Sequence, residues 1–176
     1  MGQYFMPCLK KKGNKTWKSY DSHDFGTGLK LTEHSYVDNP LVEHIKKLLL
    51  HTPMQLVWAG DYADEEPGMD DNLFNLAREQ KPESSLPDVP EHAYLVNHDK
   101  KQYITYPKCV TPKTDMDPIS FLCLETGEHE WYAAYDKQKN CLSGTWARDV
   151  VSIEDTRPNG YKEIDVRVYH KDPDDE

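Results

Sequence analysis

The chain has 176 residues, enough for one ordinary globular core, and 37% of them are apolar when Tyr and Cys are counted. Its 31 Asp and Glu against 21 Lys and Arg give a formal charge of −10, which argues against direct binding of nucleic acid, since phosphate contact needs a basic surface. No apolar run approaches the roughly 20 residues of a bilayer span, and no hydrophobic stretch follows the lysine-rich start, so neither a membrane protein nor a secretory signal is expected.

In chain order, residues 3–9, a turn around Gly13 and Asn14, and residues 16–20 predict a β-hairpin. Gly26, Thr27 and Gly28 break the chain before the alternation of Leu29 and Leu31. A helix then begins where Asn39 suits the N-cap and Pro40 the first turn, and Leu41, Val42, Ile45, Leu48 and Leu49 repeat at helical spacing before Pro53. Residues 54–58 have strand length, and Leu73, Leu76 and Ala77 predict a second, short helix over 72–80. Three prolines and two serines make 81–90 an exposed loop. Residues 93–97 and 102–106 flank a hairpin turn, and further strands are expected at 119–124, 130–135, 144–146, 150–153 and 163–169. The expected fold is α+β: a single domain over 1–176, mainly an antiparallel sheet with about two helices, ending in a flexible acidic tail at 172–176. Alternating βαβ units are absent, which disfavours a doubly wound nucleotide fold.

Charge is unevenly placed. Residues 1–60 hold eight Lys and five acidic residues, and 61–176 hold 13 basic and 26 acidic ones. The densest acidic block is Asp61, Asp64, Glu65, Glu66, Asp70 and Asp71, with no basic residue among them. Its spacing misses the alternate-position pattern of a calcium loop, so no metal and no cofactor are expected there. Acidic residues so grouped suit a basic groove on another protein, with Tyr62 as an aromatic anchor.

Cys8, Cys109, Cys123 and Cys141 contain no CxxC pair and read as free thiols. No HExxH, GxSxG or P-loop pattern occurs, and the neighbouring pairs His23-Asp24 and His98-Asp99 point to opposite faces if they lie on strands, so a non-enzymatic protein is expected. A near repeat stands out: Trp58-Ala59-Gly60-Asp61 and Trp146-Ala147-Arg148-Asp149. The two motifs either pack similar strand ends into one core or converge to set Trp58, Asp61, Trp146, Arg148 and Asp149 around a ligand pocket, with Arg148 pairing an anionic group.

Met1 to Phe5, the segment His23 to Leu31 followed by Glu33-His34-Ser35-Tyr36, Ala59 to Asp64, Leu95 to His98, and Gly144 to Asp149 together resemble a group of small proteins found in bacteria and their phages. The resemblance spans the chain, implies one domain and carries no chemistry to transfer. This chain departs from it at 125–140, which holds only Gly127 where similar proteins are glycine-rich. By analogy of size and charge with anti-CRISPR proteins, the leading expectation is an acidic phage or mobile-element inhibitor in the bacterial cytosol. Its expected partner is a host-defence protein with a basic nucleic-acid-binding surface, such as a type II CRISPR effector nuclease. The alternatives are a nucleotide-signal binding protein using the Trp-motif pocket and a metal-dependent hydrolase using Asp61 and Asp149.

Overall fold

A computed structural model describes residues 2–106 and 115–171. Cys109 and the tail at 172–176 lie outside the described residues. The chain begins with strand β1, Phe5–Lys10, and β2, Lys18–Tyr20, which pair antiparallel as the hairpin expected from the sequence. A 3₁₀ turn at Ser22–Phe25 is capped by the Asp21 carboxylate and ends at Gly26, whose φ of 77° is left-handed. Helices α1, Leu31–His34, and α2, Pro40–Leu49, follow. Asn39 caps α2 by accepting from the N–H groups of Leu41 and Val42, and Pro40 occupies its first turn, as the sequence signals.

Strand β3, Met54–Gly60, pairs antiparallel with β1 from Gln55 to Gly60. Then come α3, Leu73–Leu76; β4, Arg78–Gln80; β5, Tyr94–Asn97; β6, Gln102–Thr105; α4, Pro118–Leu122; β7, Tyr132–Tyr135; β8, Val150–Glu154; β9, Lys162–Glu163; and β10, Arg167–His170. The strands form an eight-stranded sheet in the order β4-β2-β1-β3-β8-β5-β6-β9 and a separate β7–β10 ribbon. Pairing is antiparallel except at the two outer pairs, β2 with β4 and β6 with β9. The architecture is therefore α+β with a largely antiparallel sheet.

Alternation along β3 feeds two cores. Leu56 and Trp58 join α2 residues Leu41, Val42, Ile45 and Leu49 in the main cluster, with Leu95, Ile104, Val151 and Ile153. Val57 and Ala59 point the other way, to a smaller cluster with Cys8 and Leu73 that Trp17 and Phe74 border. Each fully buried aliphatic side chain on α2 contributes about 1.5–3 kcal/mol by leaving water, so this face anchors the helix.

Four expectations are corrected. Residues 119–124 are not a strand: Asp117 caps α4 by accepting from Ile119 N–H (3.0 Å), Pro118 starts the helix, and the apolar run is continuous because the helix is buried all round. The helix expected over 72–80 stops at Leu76, because the backbone of 78–80 pairs with β2 instead. Residues 144–146 form a turn, since Gly144 has φ 77° and a Cβ there would lie 2.6 Å from Gly127 Cα. The strand expected at 163–169 is two strands in different sheets. Among the described residues there are four helices, of which only α2 exceeds five residues.

Candidate functional site

The segment following β3 is a built loop. Asp61 extends the β1–β3 ladder, its N–H donating to Tyr4 O (3.0 Å) and its carboxylate accepting from Tyr4 N–H (2.9 Å). Asn72, buried at the far end, donates through Nδ2 to the carbonyls of Asp61 (2.9 Å) and Ala63 (3.3 Å) and so ties the loop's two ends together. Asp71 accepts from Asn75 Nδ2 (2.8 Å) and Asn72 N–H (2.8 Å), and these bonds lower its pKa. Glu66 N–H donates to Asp71 O (2.9 Å), closing the loop across its middle.

Arg148 holds this loop to the sheet. Its guanidinium makes a two-pronged pair with Glu66, the second contact being Nη1 to Oε2 at 3.2 Å, and donates to Glu125 at 3.1 Å. Glu125 in turn accepts from Gly60 N–H (3.0 Å), at the end of β3. The Arg148 guanidinium also lies 5.7 Å from the centre of the Trp17 ring, whose other contact is Lys10 Nζ at 5.2 Å. Burial alone would lower the Arg148 pKa, but the bonds and charges of Glu66 and Glu125 outweigh it and raise it. The backbone at Arg148 is left-handed, with φ 68°, a conformation that costs a non-glycine residue about 1 kcal/mol. It persists because Arg148 N–H donates to Leu56 O (2.8 Å) and Arg148 O accepts from Gln55 Nε2 (3.0 Å).

The result is an open groove of about 660 Å³ lined by the 62–67 segment, Glu125, Thr126 and Arg148. Of the six carboxylates predicted there, Asp61, Glu66 and Asp71 hold the loop, while Asp64, Glu65 and Asp70 are exposed. Tyr62 is 62% exposed, and Met69, which sequence reasoning missed, is 51% exposed. The signal for Met69 was available: an apolar residue inside a dense acidic block.

The five residues of the Trp-motif pocket do not surround one cavity. Trp58 and Trp146 are buried in the main core, and both backbone N–H groups donate to the end of α4, Trp58 to Cys123 O (2.8 Å) and Trp146 to Leu122 O (2.9 Å). The motifs thus meet at the otherwise unpaired carbonyls of a short helix. Asp149 faces another way, accepting from Asn97 Nδ2 (2.8 Å) and Lys100 Nζ in the turn after β5. Its backbone carbonyl accepts from Leu56 near the start of β3, whereas Asp61 lies past the strand's end, so the two aspartates do not share a site. Among the described residues no group of three or more His, Cys, Asp or Glu side chains is arranged to hold a metal ion.

Neither His-Asp neighbour pair interacts. His23 faces Asp21 while Asp24 pairs with Lys81; His98 faces Ser152 (2.8 Å) and Tyr161 (3.2 Å) while Asp99 accepts from Val150 N–H (2.8 Å). His34 is fully buried and joins two of the sequence motifs. Its Nε2 accepts from the Trp58 indole N–H (3.0 Å), so Nδ1 carries the proton and donates to Gly28 O (3.0 Å). Burial pushes the His34 pKa down to about 4, against smaller opposing effects of the Gly28 bond, Glu33 and Asp21. The Cys8 and Cys123 thiols are raised by burial, with Glu125 adding at Cys8 and Asp149 at Cys123.

No helix among the described residues is long and apolar enough to cross a membrane. No family model matches the chain, and neither a curated protein nor a solved structure does.

Proposed function

We propose that this chain is a non-catalytic binding protein whose 61–71 loop docks on a basic, nucleic-acid-binding surface of another protein. The observation that carries the reading is a division of labour within the loop. Asp61, Glu66, Asp71 and Asn72 fix its shape, leaving Asp64, Glu65 and Asp70 exposed beside Tyr62 and Met69. Carboxylates around an aromatic and a methionine are what a basic partner's Lys, Arg and stacking surface would recognise. The setting we assign is that of an acidic anti-defence protein of phage or mobile-element origin acting in the bacterial cytosol. A type II CRISPR effector nuclease, whose heteroduplex channel is positively charged, is the first partner to test. Arg148 is already paired with two carboxylates, which favours the docking reading over a nucleotide-signal site that would use the same guanidinium.

The test is capture of the effector, and of host-lysate proteins, on immobilised chain at low and moderate salt. Association is expected to weaken as salt rises and to be lost on the triple substitution Asp64→Lys, Glu65→Lys, Asp70→Lys. Capture that the triple substitution leaves unchanged would overturn the acidic-loop reading.

A further inference from the structure

Of the seven asparagines in the chain, Asn159 alone is followed by glycine. The pairing matters because an asparagine amide is labile toward its own backbone: the nitrogen of the next residue attacks the side-chain carbonyl carbon, and a side chain on that residue hinders the approach. Gly160 has none. It takes the left-handed conformation, with φ 79°, and both residues are exposed in the turn between β8 and β9. Among the described residues neither the Asn159 side chain nor the Gly160 N–H makes a hydrogen bond, and the same holds for residues 156–160 as a whole. The bonds that fix the turn lie outside it. Strand β8 ends at Glu154; beyond the turn the Tyr161 hydroxyl meets His98 Nδ1 (3.2 Å), Lys162 N–H donates to Lys101 O (3.0 Å) and Ile164 N–H donates to Tyr103 O (2.9 Å). The other asparagines are protected. The Nδ2 groups of Asn72, Asn75, Asn97 and Asn140 are held by the Asp61 carbonyl, Asp71, Asp149 and Asp136. Asn39 precedes a proline, which has no N–H to attack with, and Asn14, exposed like Asn159, precedes Lys15.

We propose that Asn159 is a site of spontaneous deamidation in the folded protein. The Gly160 nitrogen gives up its proton to water and bonds to Asn159 Cγ. The Cγ–Nδ2 bond breaks, and ammonia leaves with a proton taken back from solvent, closing a succinimide ring. Water then opens the ring at either carbonyl, giving aspartate or, where the chain now runs through the side-chain carbon, isoaspartate. The net change is water consumed and ammonia released, with no oxidant or reductant. The product carries a new carboxylate two residues from Arg157, and isoaspartate also adds a methylene to the backbone. Because the fixing bonds lie on either side of the turn, the turn absorbs the added length while the β6–β9 pairing and the contact of Tyr161 with His98 persist. This chemistry is independent of the acidic-loop reading.

The experiment is incubation of the folded full chain at neutral and at mildly alkaline pH, beside a synthetic peptide of residues 155–163, followed by peptide mapping with mass spectrometry. The fragment holding Asn159 should gain about one mass unit, at a rate about tenfold or more above that at Asn14. It should separate into two forms of equal mass, the larger a substrate for an isoaspartate methyltransferase. The rate should rise with pH, since the attacking nitrogen must lose its proton. Asn159→Gln, whose longer side chain would have to close a larger ring, should abolish the gain without moving the unfolding midpoint. An intact Asn159 in the folded chain after the free peptide has reacted, a gain no faster than at Asn14, or a product that is aspartate alone overturns the proposal.

Discussion

Lys46 and Arg148 are built alike and placed differently. Each cation lies between two carboxylates and beside an aromatic ring: Lys46 with Glu43, Asp117 and Tyr106, Arg148 with Glu66, Glu125 and Trp17. In the Lys46 cluster the cation and Asp117 are buried, and Glu43 reaches the surface. Lys46 is 8% exposed and Asp117 1%, and Asp117 also accepts from the Tyr106 hydroxyl (2.8 Å) while capping α4. Burial works against the Lys46 charge, yet Asp117 and Glu43 outweigh it and raise its pKa. The Arg148 cluster opens onto a groove, its side chain 37% exposed. The contrast teaches that one ion cluster joins α2 to α4 inside the protein, whereas the other supports a surface from behind.

The sharpest way to break the comparison is Asp117→Ala. It takes from a buried ammonium one of its two carboxylates, removes a helix cap and deprives the Tyr106 hydroxyl of an acceptor, and should cost about 3 kcal/mol in denaturant unfolding. Acidification comes next. His34 is held neutral in the fold, so its contribution is complete above its ordinary pKa of 6.5 and is lost as pH falls through about 4. The full loss amounts to about 3 kcal/mol. Unfolding free energies measured across that window should fall with pH, and His34→Gln should flatten the dependence.

Arg148→Ala leaves Glu66 and Glu125 without their cation and should cost about 2 kcal/mol, less than Asp117→Ala because water reaches the groove. Arg148→Gly should recover about 1 kcal/mol of that by relieving the left-handed backbone, and equal midpoints for the two variants would contradict the strain. The smallest effect belongs to Asp64→Lys, Glu65→Lys, Asp70→Lys, which should shift stability by no more than about 0.5 kcal/mol per site, since none of the three holds the loop.

Local chemistry made α2 legible: Asn39, Pro40 and the 3.6-residue apolar period all lie within eleven residues of one another. The β1–β2 and β5–β6 hairpins were legible for the same reason. Helix α4 was not, because burial on every side erases the periodicity that separates helix from strand. The 78–80 backbone was taken by β2 some sixty residues away, a competition that no local window contains. At the site, the density of acid at 61–71 was plain in the sequence. Which carboxylates were structural could not be read, because Glu66 finds Arg148 across 82 residues and Asp61 finds Tyr4 across 57. The Trp motifs looked like a pocket because their shared pattern is plain in sequence, while the α4 carbonyls that they both satisfy are not.

The central claim is that the exposed acid of this loop serves binding and not folding. It is tested most directly by measuring partner capture and the unfolding midpoint on the same samples of wild type and of the Asp64→Lys, Glu65→Lys, Asp70→Lys variant. Salt-sensitive capture by the wild type and none by the variant are expected, at closely similar midpoints. Capture that survives the charge reversal, or a variant that loses capture only because it unfolds, would contradict it.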